Sequence, residues 1–85
     1  MNKSILLVED DPLIALSEKL TLEKYGFRVT VATSGEKALE IIREQEDVDL
    51  VLMDIDLGPG MDGTEAAVHI LDSHDLPLIF LSSHT

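Results

Sequence analysis

The chain has 85 residues, of which 45% are hydrophobic and 27% charged, a composition typical of one folded unit and unlike that of a disordered segment. Seventeen acidic residues against six basic ones give a formal net charge of −11, so we expect no direct binding to nucleic acid, whose backbone this charge repels. The absence of cysteine excludes disulfides, thiolate zinc sites and cysteine nucleophiles.

Three short apolar runs predict β-strands, at residues 5–8, 50–53 and 78–81. None of them alternates with polar residues, which is typical of strands buried on both faces of a parallel sheet. A fourth run, residues 27–31, does alternate and predicts a half-exposed edge strand. The first run is far too short for a signal peptide or a membrane span, so we expect a cytoplasmic protein that does not enter a membrane.

The first helix is predicted between the first two strands. Asp11 and Pro12 are suited to the N-cap and the first helical position, and Gly26 is suited to end the helix. Between them, three leucines keep helical spacing, namely Leu13, Leu16 and Leu20.

Two further helices follow. Thr33 and Glu36 have the spacing of a capping box, which predicts a helix that begins after Thr33 and ends before the acidic residues 46–49. Asp62 is suited to cap a third helix, which Pro77 would bring to an end. Strands and helices thus alternate through the chain, and this order predicts an α/β fold with a doubly wound parallel sheet.

Polar side chains follow each of the three buried strands. The first strand precedes Glu9 and Asp10, the second precedes Asp54, and the third precedes Ser82 and Ser83. In doubly wound sheets, ligands bind beyond the carboxyl ends of the strands, so these side chains should converge. An aspartate or serine at such a position is also a common turn or cap residue.

Converging carboxylates need a counter-charge. Two of them about 4 Å apart repel by ~4 kcal/mol at an effective dielectric constant of 20. A hard divalent cation removes that repulsion, and carboxylates with water and phosphate oxygens are the usual surroundings of Mg²⁺. The sequence therefore predicts a magnesium site at this edge of the sheet.

The chain resembles the receiver domain of two-component response regulators over residues 1–85, in the segments 5–12, 50–56, 61–63 and 79–82. The resemblance implies the flavodoxin-like receiver fold with strand order 2-1-3-4. It also implies a phospho-acceptor domain of a phosphorelay, not an independent enzyme, with a sensor histidine kinase or phosphotransfer protein as partner. The kinase's phosphohistidine would supply the phosphoryl group.

The resemblance further assigns roles to individual residues. Asp54 would be the phospho-acceptor. Mg²⁺ would bind Asp10 and Asp54 directly, Glu9 through water and Asp56 through its backbone carbonyl. Ser82 would supply the hydroxyl that turns toward the aspartyl phosphate, and Ser83 would be the small residue after it.

Two departures from the receiver pattern stand out. The loop after Asp54 is one residue longer than usual and has Gly58 where proline is typical, so it resembles receivers attached to sensor histidine kinases. A complete receiver also continues through a helix, a fifth strand with a phosphate-binding lysine and a last helix. Since the sequence ends at Thr85, we expect these parts to be missing. We therefore also expect self-association through the fourth strand or an uncovered sheet face.

Two alternatives remain open at this point. Asp54-Ile55-Asp56 after an apolar strand also resembles the nucleophile and acid of haloacid-dehalogenase phosphatases, and turnover of a phosphomonoester would reveal that activity. The chain could instead be a phosphorylation-independent interaction module, in which case it would not bind Mg²⁺.

Overall fold

A parallel β-sheet with helices on both faces organises the chain. The computed structural model describes residues 3–45, 47–54, 63–73 and 76–81. In chain order the elements are β1 (Ser4–Val8), α1 (Pro12–Lys24), β2 (Arg28–Ala32), α2 (Gly35–Glu44), β3 (Leu50–Asp54), α3 (Gly63–Ser73) and β4 (Leu78–Leu81). The strand order is β2-β1-β3-β4, and all three strand pairs are parallel. The predicted fold class and strand order are confirmed.

The central strand β1 is buried along its whole length. It pairs on one side with β2, where Ile5 lies opposite Val29, and on the other with β3, where Ile5 lies opposite Leu50. Ile5, Leu6, Leu7 and Val8 are each no more than 2% exposed. This burial explains why the sequence of β1 is apolar without alternation.

The main hydrophobic core lies between one face of the sheet and helices α2 and α3. Its buried members are Leu6, Val8, Ala32, Ala38, Ile42, Val48, Val51, Met53, Ala67 and Ile70. Each of the two helices contributes one alanine and one isoleucine to this cluster. This packing holds the carboxyl ends of β1 and β3 side by side.

The fourth strand differs from its prediction. The apolar run of residues 78–81 predicted burial on both faces, yet Ile79 is 50% exposed and Phe80 is 40% exposed. The reason is that β4 is an edge of the described sheet and that, among the side chains of this strand whose burial is described, only Leu78 packs against the core cluster. The other edge strand, β2, is half buried as predicted, although it begins at Arg28 and not at Phe27.

The first helix begins and ends where the sequence predicts. Asp11 is the N-cap, and its Oδ1 accepts hydrogen bonds from the backbone N–H groups of Leu13 (2.9 Å) and Ile14 (3.3 Å). After Lys24 the chain passes through Tyr25 to Gly26, whose φ of +91° lies in the region that favours glycine. Ala15 is the only buried residue of α1, and the predicted leucines lie on its exposed side.

The cap of the second helix is Ser34, not the predicted Thr33. Ser34 has extended backbone angles, and its Oγ accepts a hydrogen bond from the backbone N–H of Lys37 at 3.1 Å. With Ser34 as the cap, the third helical position is Lys37, so Glu36 is one residue too early for a capping box. The predicted cap of α3, Asp62, lies outside the described residues. Within the described part of the chain, no helix is long and apolar enough to cross a membrane.

Candidate functional site

Three carboxylates meet at the carboxyl ends of β1 and β3. Glu9 directly follows β1 and Asp10 comes next, while Asp54 is the last residue of β3. The two strands pair with Val8 opposite Met53, so the residues that follow this pair come together at one edge of the sheet. One oxygen atom from each carboxylate lies within 4.8 Å of the others. The predicted convergence of these three residues is confirmed.

The site is buried on one side and open on the other. Glu9 and Asp54 are each only 3% exposed, whereas Asp10 is exposed. Hydrogen bonds fix both the backbone and the side chain of Glu9. Its backbone N–H donates to the Ala32 carbonyl at 3.0 Å, and its Oε1 accepts from the Asp11 N–H at 3.2 Å. Among the described carboxylates of this group, solvent therefore reaches Asp10 and scarcely reaches Glu9 and Asp54.

The environment of Glu9 changes its acidity. Burial, together with a hydrogen bond and charge repulsion from Asp54, raises the pKa of Glu9 to about 7 against the lowering effect of the Asp11 N–H. The neutral form of Glu9 is therefore well populated near neutral pH, and the proton it keeps relieves its repulsion with Asp54. A cation bound among the three carboxylates would replace that proton.

A further carboxylate, Glu18, was not predicted from the sequence. It lies three residues after Ala15, on the side of α1 that faces the sheet, and it is half buried. Burial and, to a lesser extent, the negative charge of Asp54 raise the pKa of Glu18. Its helical spacing from Ala15 and Leu22 is the signal that could have identified it as an inward-facing charge.

The remaining predicted site residues, Asp56, Ser82 and Ser83, lie outside the described residues. The nearest described position to the two serines is Leu81, the last residue of β4, which pairs with Asp54.

The three carboxylates fit a hard divalent cation. Their oxygen atoms are the ligand type that Mg²⁺ prefers, and their separation is small enough for one ion to contact more than one of them. Burial and, to a lesser extent, Asp54 raise the pKa of Glu9, so ionising all three carboxylates is unfavourable without a counter-ion. Such a site can hold an ion beside the carboxylate of Asp54.

Comparisons with known proteins match the chain to a single family. The family described as "Response regulator receiver domain" matches residues 5–85. The chain is 42% identical over 80 residues to the transcriptional regulatory protein AfsQ1 of Streptomyces coelicolor, an alignment that covers 94% of this chain and 35% of AfsQ1. It is 39% identical over 83 residues to the response regulator GtcR of Aneurinibacillus migulanus, and this alignment covers 98% of this chain and 34% of GtcR. The chain thus spans about a third of the length of these curated relatives.

Solved structures agree with the sequence relatives. The N-terminal domain of a response regulator/sensory box/GGDEF protein from Carboxydothermus hydrogenoformans superposes with a TM-score of 0.92 at 44% identity, covering 98% of this chain and 66% of that one. The response regulator TrrA of Thermotoga maritima, solved with Mg²⁺ and BeF, superposes with a TM-score of 0.90 at 34% identity. The superposition covers 98% of this chain and 71% of TrrA. TrrA has also been solved in complex with the histidine kinase ThkA.

Proposed function

The chain belongs to the response regulator receiver domain family of two-component signalling, and we propose on that premise that Asp54 is its phospho-acceptor. The observation that carries the proposal is the convergence of Asp54 with Glu9 and with the exposed Asp10 at one edge of the sheet. Asp54 is the carboxylate at the end of β3, next to the central strand. The donor would be the phosphohistidine of a sensor kinase or of a phosphotransfer protein.

The proposed reaction is a direct phosphoryl transfer. A carboxylate oxygen of Asp54 attacks phosphorus in line with the scissile bond, a P–O bond forms, and the histidine nitrogen keeps the electron pair of the broken P–N bond. Glu9 and Asp10, together with Asp54, would hold Mg²⁺, which when bound supplies positive charge to the phosphoryl oxygens. Asp10 and Asp54 would bind the ion directly and Glu9 through water, while Asp56 would add its backbone carbonyl.

We assign the phosphate-sensing hydroxyl to Ser82 and the small neighbouring position to Ser83. The support for this assignment is the register of β4, in which Leu81 pairs with Asp54. The hydroxyl would donate a hydrogen bond to a phosphoryl oxygen of phospho-Asp54. The Ser82→Ala variant should then keep its phosphorylation but lose the conformational response to it.

We propose that the chain is a signalling domain, which assists its own phosphorylation and turns over no other substrate. The receiver match replaces the haloacid-dehalogenase phosphatase that the sequence left open. Steady hydrolysis of a phosphomonoester that is lost in Asp54→Asn would contradict this proposal and favour the phosphatase.

The same proposal includes the partners of the chain and its location in the cell. A histidine kinase is supported as partner by the complex of TrrA with ThkA. The formal charge of −11 supports no direct contact with nucleic acid. The proposed location is the cytoplasm, which supplies both the phosphoryl donor and free Mg²⁺. The exposure of Ile79 and Phe80 supports β4 as one surface for self-association.

The decisive experiment is phosphorylation of the chain with acetyl phosphate and Mg²⁺, followed by intact-mass spectrometry. We expect one added phosphoryl group that hydroxylamine removes, and no such group in Asp54→Asn. Asp72→Asn is the matched control, because Asp72 is an exposed aspartate of α3 far along the chain from the site. Equal labelling of Asp54→Asn and the parent chain would refute the assignment.

The same experiment distinguishes the interaction module that the sequence left open. A chain that neither binds Mg²⁺ in calorimetry nor accepts a phosphoryl group would be such a module.

A further inference from the structure

The third acidic residue after β1, Asp11, is placed differently from the two before it. Within the described part of the chain, the carboxylates that converge are those of Glu9, Asp10 and Asp54. The carboxylate of Asp11 binds the start of α1 instead, where its Oδ1 accepts hydrogen bonds from two backbone N–H groups of the first turn at 2.9 Å and 3.3 Å. By its side chain Asp11 therefore belongs to the helix.

The backbone of Asp11 contacts the site. Its N–H donates a hydrogen bond to Oε1 of Glu9 at 3.2 Å. Its carbonyl accepts a hydrogen bond from the N–H of Ala15 at 2.9 Å, and Ala15 is the buried residue of α1, 3% exposed. One residue thus connects the carboxylate of Glu9 to the first turn of a helix that is anchored on the sheet.

The hydrogen bond from Asp11 restricts the carboxylate of Glu9. A long side chain such as glutamate has many rotamers, and holding one of its oxygens removes most of them before a ligand arrives. In the observed orientation, Glu9 offers an oxygen that lies within 4.8 Å of an oxygen of Asp10 and one of Asp54. Hydrogen bonds that orient a ligand in this way raise the affinity of a site for its metal ion.

We propose that Asp11 is a positioning residue of the cation site, where it holds the carboxylate of Glu9 toward Asp10 and Asp54. This inference rests on the proposed function, in which those three residues bind Mg²⁺. The cap of α1 is part of the device, because the bonds to Oδ1 fix the backbone of Asp11 at a φ of −86° and a ψ of 113°. In that conformation the N–H of Asp11 reaches Glu9.

Two substitutions of Asp11 separate its cap from its charge. Asp11→Asn and Asp11→Ala each remove one negative charge, so both lose the same attraction for a cation. Asparagine is as good a cap as aspartate, because it keeps an oxygen for the N–H groups of the first turn, whereas alanine is a poor cap. A difference between the two variants therefore reports the cap and not the charge.

The test is a calorimetric titration of the 85-residue chain with Mg²⁺ at neutral pH. We expect Asp11→Ala to bind Mg²⁺ at least about fivefold more weakly than Asp11→Asn, near the lower end of the usual loss when a hydrogen bond to a metal ligand is removed. Asp11→Asn should bind slightly more weakly than the parent, from the lost charge alone.

A second measurement uses the metal-free chain. In EDTA, NMR can follow the exchange of the amide hydrogen of residue 11 with solvent. After correction for the intrinsic rates of the two residue types, this exchange should be about fivefold faster in Asp11→Ala than in Asp11→Asn, because the hydrogen bond to Glu9 is no longer held.

Ser34→Ala is the matched control. It removes the cap of α2, whose Oγ accepts a hydrogen bond from the N–H of Lys37 at 3.1 Å within its own helix. Loss of a cap should lower the melting temperature of Ser34→Ala and of Asp11→Ala by a similar amount, about 5 °C. Only Asp11→Ala should also lose Mg²⁺ affinity relative to its asparagine counterpart.

A further variant keeps the test valid if Asp11→Ala does not fold, which circular dichroism would show. Asp11→Gly offers no side-chain oxygen, yet glycine is tolerated at an N-cap at a smaller cost than alanine. Its affinity for Mg²⁺ should fall below that of Asp11→Asn in the same way.

The outcomes separate this inference from the proposed function. Equal Mg²⁺ affinities of Asp11→Asn and the folded variant without a cap oxygen overturn the positioning role, and so does unchanged amide exchange. A parent chain that binds no Mg²⁺ overturns both the proposed cation site and this inference. A parent chain that binds Mg²⁺ but accepts no phosphoryl group at Asp54 overturns the phospho-acceptor assignment alone.

Discussion

Replacing Glu9 with glutamine should stabilise the metal-free chain at neutral and alkaline pH. Glu9 is 3% exposed and lies beside Asp54, and burial is the main reason that its pKa rises from 4.5 to about 7. In the unfolded chain the carboxyl ionises at its ordinary value. Glutamine remains neutral at every pH and still offers an oxygen to the N–H of Asp11. The variant therefore removes the cost of ionising Glu9 but keeps its hydrogen bond.

The size and the pH window of this effect follow from proton linkage. Between pH 4.5 and about 7 the folded chain binds more protons at Glu9 than the unfolded chain, so the free energy of unfolding falls as the pH rises through that window. At about 1.4 kcal/mol per pH unit, the full loss is about 3 kcal/mol. For a domain of this size, that corresponds to a melting temperature about 15 °C higher in Glu9→Gln at pH 8. The difference should vanish toward pH 4.5.

Urea unfolding of both proteins in EDTA, followed by circular dichroism from pH 4.5 to pH 8, measures this difference. Glu44→Gln is the matched control, because it removes one negative charge from an exposed position of α2 and should change the pH dependence little. A parent stability that is flat across the window, or a Glu9→Gln variant no more stable than the control at pH 8, would refute the reasoning. Addition of Mg²⁺ should stabilise the parent more than Glu9→Gln.

Four further substitutions test separate parts of the structure, the last of them as a control. Asp10→Asn should weaken Mg²⁺ binding at least about tenfold in calorimetry while raising the melting temperature in EDTA, and an unchanged affinity would remove Asp10 from the ligand set. Gly26→Ala should cost about 1 kcal/mol in urea unfolding, because φ is +91° although nothing lies within 4 Å of the added Cβ. Ile42→Ala should cost about 3 kcal/mol, because its side chain is 1% exposed within the core, whereas Leu71→Ala, at 56% exposure, should cost about 0.5 kcal/mol.

The sequence predicts the central part of the fold well because the local signals there agree with the tertiary structure. The apolar run of β1 is buried on both faces, as a central parallel strand requires. Asp11, Pro12 and Gly26 bound α1 because a cap, a fixed φ and a positive φ are properties of single residues. The convergence of Glu9, Asp10 and Asp54 could be predicted because they follow the carboxyl ends of two buried strands in a doubly wound sheet.

Other features could not be predicted because they depend on neighbours. Thr33 and Ser34 are both good caps, and the sequence alone does not decide between them; in the structure the cap is Ser34. The exposure of Ile79 depends on what lies beside β4, not on its own sequence. The raised pKa of Glu18 arises mainly from burial against the sheet, which the linear spacing of acidic residues does not reveal. The roles of Asp56, Ser82 and Ser83 stay predictions.

The placement of β1 between β2 and β3 predicts an order in which the molecule folds. The contact of β1 with β2 closes a loop containing only α1, whereas the hydrogen bond from the Ser4 N–H to Asp49 beside β3 joins residues 45 positions apart. Closing the longer loop costs more chain entropy and slows folding. The β1-α1-β2 unit should therefore form before β3 docks, and until it docks Asp54 is apart from Glu9 and Asp10. The binding of a cation should therefore report when β3 pairs with β1. A chain in which only the β1-α1-β2 unit has folded still lacks Asp54 at the site.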